Sequence, residues 1–180
     1  MIILDIIGYL GPQILCFLSI ILLFKKWNTL SLYLVGYFSN IIITYILKGI
    51  IQEPRPTEDK KLFNIELLHG SGYNQWSGNG QGSGKRIGFD RYGCPSGHAS
   101  SVVYSSVFLY LVLQNPKILV TYLLVSLVTM YQRVKYKNHS IHQVIIGAVV
   151  GFFSAFVIYF YTKHILKGKM GEKPDDNAPL

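Results

Sequence analysis

Charge is missing from long stretches of this 180-residue chain. Residues 29–47, 99–113, 118–132 and 144–162 contain no Asp, Glu, Lys or Arg, and residues 2–24 contain only Asp5. A helix rises about 1.5 Å per residue, so crossing roughly 30 Å of hydrocarbon takes about 20 mostly apolar residues. In chain order the first, second and fifth stretches, 2–24, 29–47 and 144–162, meet that length. The third meets it if its helix starts near Ser96. The fourth is short, and it spans if Lys117 and Arg133 reach out to the two interfaces. The pattern predicts an all-α integral membrane bundle of about five transmembrane helices. Residues 1–24 lack a basic leader and a small-residue cleavage site, and Lys25, Lys26 and Trp27 follow as interfacial residues would. They read as a retained helix.

The remaining composition narrows the function. A net charge of +8 would suit nucleic acid if the bases were clustered, but most flank apolar blocks, where membrane anchoring accounts for them. No nucleic-acid partner is expected. Cys16 sits in the first helix and Cys94 in a loop, so neither a disulfide nor a metal pair follows. Residues 1–162 read as one membrane-embedded domain containing a long loop, 52–94, and residues 163–180 as a polar tail expected to be disordered. Gly70 to Gly93 holds eight glycines among Ser, Asn and Gln, which is loop chemistry. Gly147, Gly151 and Ala155 recur every four residues, a stripe expected to pack inside the bundle rather than form a dimer face.

Five helices bring loop 52–94 and the loop after the fourth helix to one side of the membrane. With Lys48, Arg55 and Arg133 set aside, the other Lys and Arg divide seven to seven between the two sides. The Lys25–Lys26 pair tips the orientation towards a lumenal or exterior placement of the two loops. Three clusters lie there. Lys48 ends the second helix, and Arg55 lies between Pro54 and Pro56, which stop any helix beyond Glu53. Pro95-Ser96-Gly97-His98 opens the third helix: Ser96 suits an N-cap, and Gly97 allows an anion to approach exposed N–H groups. Arg133 is followed after five residues by His139, with Gln143 one turn further on. Singly, these read as interfacial anchors, a capped helix start and a satisfied polar histidine. Together, three cations and a helix N-terminus suit a phosphate's oxygens, and two histidines suffice for a nucleophile and a general acid.

The order and spacing, Lys48-x6-Arg55-Pro56, Pro95-Ser96-Gly97-His98 and Arg133-x5-His139, resemble the three-part motif of the type 2 phosphatidic acid phosphatase family, which shares its site with vanadium haloperoxidases. The resemblance spans roughly residues 48–151. It implies that His139 attacks phosphorus and becomes phosphorylated, and that His98 protonates the leaving oxygen and then activates water. It also implies that Lys48, Arg55, Arg133, Ser96 and the Gly97 N–H hold the phosphoryl oxygens, without metal or other cofactor, on the lumenal or exterior face.

Two positions depart from that motif: Gln132 stands for its serine and Gln143 for its aspartate. Gln143 faces the same side of the helix as His139, and its carbonyl could accept the imidazole N–H, though without negative charge. His139-x3-Gln143-Val144, Gln52-Glu53-Pro54-Arg55-Pro56 and Tyr92-Gly93-x-Pro95-Ser96 resemble the dolichyl-diphosphatase branch. That implies a polyprenyl diphosphate substrate in an ER-like membrane, with phosphatidate or a sphingoid phosphate as the alternative. From a different class, Gln143 raises an inactive protein that binds lipid phosphate. A haloperoxidase fits poorly with so apolar a chain, and a transporter with the lack of half-chain repeats.

Overall fold

The computed structural model describes residues 2–56 and 88–166, which form five long helices and one short 3-10 turn, with no strand among the described residues. The helices are α1 (Ile2–Leu22), α2 (Trp27–Ile51), α3 (Gly97–Leu113), α4 (Pro116–Lys135) and α5 (Ile141–Leu166), with the 3-10 turn at Gly88–Arg91. Local chemistry sets their ends. α2 stops where Gln52 turns left-handed at φ 52° and returns its N–H to the Lys48 carbonyl, with Pro54 and Pro56 just beyond. The Ser96 side chain caps α3 by accepting from the Ala99 N–H. Asn115 caps α4 by accepting from the Lys117 N–H at 3.0 Å, ahead of Pro116 in the first turn.

These caps change which helix is short. α4 runs 20 residues because it takes Lys117, Arg133 and Lys135 into its end turns, whereas the charge-free block alone made it look marginal. By length and composition α1, α2, α4 and α5 can each cross a bilayer; α3, at 17 residues, is shorter. α5 continues to Leu166, beyond the boundary expected at residue 162. Most of the glycine-rich run (residues 57–87 of the loop) and the tail from 167 to 180 lie outside the described residues.

α3 is the central helix and packs against the other four. Its apolar residues Val102, Tyr104, Phe108, Leu109 and Val112 are buried, and so are Ser100, Ser101, Ser105 and Ser106. Among apolar chains there is little hydrophobic drive between helices, so close packing and interhelical hydrogen bonds hold a membrane bundle together. Ser100 Oγ donates to Asn40 Oδ1 at 2.8 Å, Ser105 pairs with Tyr33 at 2.8 Å, and Ser106 pairs with Ser126 at 2.9 Å. Gly147 and Gly151 lie against the backbone of Ser96 and Ser100, where any Cβ would collide with a carbonyl. The glycine stripe therefore packs inside the bundle, between α5 and α3.

On the other flank Lys135 at the end of α4 pairs with Asp5 in the first turn of α1 at 2.8 Å. Gly8 and Gly11 admit the side chains of Gln132 and Thr129. The start of α1 thus joins the end of α2, the start of α3, the end of α4 and the start of α5 at one end of the bundle. Large apolar side chains such as Phe38, Ile42, Leu124, Phe153 and Phe160 point outward, as lipid contact requires.

Candidate active site

Two short straps, residues 52–56 and 88–95, lie over that end of the bundle and are joined by backbone: the Gly93 N–H donates to the Glu53 carbonyl at 2.7 Å. Lys48, buried at the end of α2, donates to the Tyr92 carbonyl and to Asp90 Oδ1, both at 3.0 Å. Arg55 reaches across from the first strap. Its Nη2 donates to the Asp90 carbonyl at 2.8 Å and to Asp90 Oδ1 at 3.1 Å, and its Nη1 donates to the Asn138 carbonyl at 3.0 Å.

His139 lies between α4 and α5, 2% exposed. Its Nδ1 is 2.7 Å from the Gly93 carbonyl oxygen, an atom that can only accept. Nδ1 therefore carries the proton, and Nε2 presents the lone pair. Nε2 is 3.0 Å from Arg55 Nη1, which donates to it. Burial first, then the charges of Arg55, Arg133 and Lys48, hold the His139 pKa well below the ordinary histidine value, so the imidazole is neutral near pH 7. A buried neutral imidazole with a fixed tautomer is what a nitrogen nucleophile requires.

His98 stands in the first turn of α3. It bonds to the Tyr9 backbone, and its ring lies 6.1 Å from the Tyr9 ring, centroid to centroid. The Arg133 guanidinium lies 5.9 Å over the same ring. Arg133 also holds the next loop by its backbone, its carbonyl accepting from the N–H groups of Asn138 and His139. Lys48, Arg55 and Arg133 all act electrostatically on both histidines, so the three clusters seen in the sequence meet at one place. Ser96 is fully buried, and its N–H donates to the Gln143 carbonyl at 3.0 Å. A Cβ on Gly97 would meet only Thr44 Cγ2, at an ordinary 3.8 Å, so packing does not demand glycine there.

Gln143 does not do what its spacing suggested. Its side chain makes no hydrogen bond to the His139 ring, and the Gly93 carbonyl takes that position. Gln143 Nε2 donates instead to Glu53 Oε1 at 2.6 Å and to the Pro54 carbonyl at 2.9 Å, while Oε1 accepts from the Ser140 N–H at 3.2 Å. Gly93 packs directly on this amide, where a Cβ would stand 2.5 Å from Oε1. Gln143 is thus a brace beneath the strap that holds His139. Gln132, the other departure, lies buried under Gly8 with Oε1 3.4 Å from Arg133 Nη1.

Tyr9 and Asp90 escaped sequence reasoning, and Glu53, Tyr92 and Gly93 entered it only as parts of two motifs, with no role given to them. Burial raises the Glu53 pKa, but hydrogen bonds from Gln143 and then His142 outweigh it, so the carboxylate lies below its usual range. Burial and the neighbouring Glu53 push the Cys94 thiol up to about 11, which leaves it protonated and inert as a nucleophile. Among the described residues no group of three or more His, Cys, Asp or Glu side chains is placed to hold a metal ion. Beside His139 a groove of about 720 Å³ opens between Pro56, Val134, Ile141 and Ile145, with Lys137 and His142 also lining it.

Neither a curated protein nor a solved structure matches the chain. The family model of the PAP2 superfamily matches residues 29–166, well over half of the sequence and all of the site from Lys48 to Gln143. The chain belongs to the PAP2 superfamily.

Proposed function

We propose that this protein is a lipid phosphatase that works through a phosphohistidine on His139, with a polyprenyl diphosphate as its favoured substrate. The observation that carries the reading is His139 itself: neutral, with Nδ1–H given to the Gly93 carbonyl and Nε2 turned into the cations. The Nε2 lone pair forms a bond to phosphorus as the bond to the leaving oxygen breaks, and that oxygen takes a proton from His98, which enters the step as the imidazolium, stabilised by the negative charge of the bound phosphoryl group. Water then attacks the phosphohistidine, gives its proton to His98, and releases phosphate with His139 restored. Lys48, Arg55, Arg133 and the N–H groups at the start of α3 stabilise charge on the transferring oxygens, which makes metal unnecessary.

Two features favour a lipid diphosphate. The groove beside His139 is apolar on Val134, Ile141 and Ile145 and basic at Lys137, so it suits a hydrocarbon tail that follows a charged head. A diphosphate also leaves readily, which suits a nucleophile backed by a neutral carbonyl rather than a carboxylate. The site end faces the lumen or exterior in this reading. The test is purified full chain in detergent offered dolichyl diphosphate, undecaprenyl diphosphate, phosphatidate and sphingoid phosphates, with acid-quenched phosphoenzyme trapping. Preferred diphosphate turnover that survives EDTA is the expected outcome. Preferred phosphatidate turnover overturns the substrate, and activity that chelation abolishes and magnesium restores overturns the metal-free mechanism.

A further inference from the structure

Asp90 occupies the place where a phosphoryl group is expected. Its Oδ1 accepts from both Lys48 Nζ and Arg55 Nη2, at 3.0 and 3.1 Å. The two cationic side chains are 5% and 4% exposed, whereas the Asp90 side chain is 54% exposed, so the acid caps the cations from the open side. Two buried positive charges repel one another and have lost most of their hydration, so an anion between them is strongly favoured. A carboxylate presents the same charge-assisted acceptor geometry to lysine and arginine as two phosphoryl oxygens do.

The same contact bears on the nucleophile. Arg55 Nη1 donates to the Nε2 lone pair of His139, while Nη2 is tied to the Asp90 carboxylate and carbonyl. A lone pair engaged by a guanidinium is not free to attack. The turn that carries Asp90 is itself anchored: the Phe89 N–H donates to Tyr45 Oη at 3.2 Å, and the Phe89 ring packs on Tyr45 at 5.2 Å. An exposed side chain on an anchored turn can swing aside without the turn moving.

We propose that Asp90 is a substrate-displaced latch, which in the empty site neutralises Lys48 and Arg55 and keeps Arg55 on His139 Nε2. An arriving phosphoryl group takes Lys48 and the Arg55 guanidinium from the carboxylate, which turns to solvent, and draws Arg55 Nη1 off Nε2, while the Asp90 and Asn138 carbonyls keep Arg55 at the site. This rests on the reading of His139 as the nucleophile. Asp90 is accordingly a positioning residue that acts through Arg55, and it sets how strongly an anion must compete to enter.

Binding of orthovanadate and of inorganic phosphate to the full chain, measured calorimetrically for wild type, Asp90→Asn and Asp90→Ala, tests the latch without turnover. Removing the competing carboxylate should tighten vanadate binding about tenfold in both variants, a difference of about 1.4 kcal/mol. Asp90→Asn keeps the shape of the side chain, so it answers even if Asp90→Ala folds poorly. Unchanged or weaker vanadate binding in Asp90→Asn overturns the proposal and leaves Asp90 as a structural counter-ion. Tighter binding in a protein that hydrolyses no lipid phosphate supports the latch and removes the phosphatase reading. Hydrolysis with unchanged vanadate affinity does the reverse.

Discussion

The two histidines of the site are held in opposite ways. His139 is in a loop, yet both ring nitrogens are engaged, Nδ1 by the Gly93 carbonyl and Nε2 by Arg55. His98 is in the first turn of the central helix, and it lies against Tyr9 of a helix outside the three motif clusters. In the proposed reaction the residue that bonds to phosphorus needs one tautomer and one direction of approach, and the straps impose both on His139. His98 rides on a rigid helix backbone, with its ring held to the Tyr9 backbone. Precision at this site therefore comes from the loop, and stiffness from the helix.

That contrast breaks most sharply at the nucleophile. His139→Ala should abolish phosphoenzyme and lower kcat by on the order of 10⁴ or more. His98→Ala should leave phosphoenzyme detectable and cost about 10²–10⁴ on substrates with poor leaving groups, with the smallest loss on diphosphates. Acid-quench labelling of both variants reads the difference; label retained by the His139 variant would exchange the two roles.

The strap comes next. Gly93→Ala places a methyl group against the Gln143 amide and pushes the carbonyl away from Nδ1. Displacing the nucleophile by about 1 Å should cost roughly 10²-fold in kcat. Gln143→Leu removes the brace but not the carbonyl, so about tenfold is expected, with no rescue by Gln143→Glu, whose carboxylate cannot donate to Glu53 or to the Pro54 carbonyl. If Gln143→Leu costs more than Gly93→Ala, the amide reaches the ring during turnover and the strap is secondary.

Sharpening the comparison electrostatically needs only a titration. NMR of His139 should show it titrating below pH 6.5, since burial and three cations oppose its protonated form. Arg55→Gln removes the largest of those charges, so the His139 pKa should rise; a fall would mean that the guanidinium stabilises the imidazolium through some other group.

The smallest effect lies away from both histidines. Ser106→Ala deletes an interhelical bond to Ser126 and should lower stability by about 0.6 kcal/mol, read by thermal unfolding, with turnover unchanged.

Much of this was legible in the sequence, for identifiable reasons. Lys48, Arg55, Ser96, Gly97, His98, Arg133 and His139 sit at fixed spacings beside apolar blocks, and a bundle of five helices necessarily gathers those ends. Helix limits were less legible, because Asn115 and Pro116 start α4 before the charge-free block does. The straps were illegible. Gly93 meets His139 across 46 positions and Glu53 meets Gln143 across 90, and neither pair shares a helix whose periodicity could relate them. Gln143 was misread because α5 begins only at Ile141, so four-residue spacing does not put it on one helix face with His139 in the preceding loop.

The close seating of Gly147 and Gly151 on the α3 backbone has a consequence for how lipid gets in. The helix that begins beside His139 and the helix that begins with His98 are clamped main chain to main chain, so the separation of the two imidazoles is gauged by peptide units rather than by side chains. Any breathing that admits a bulky tail must spare that clamp.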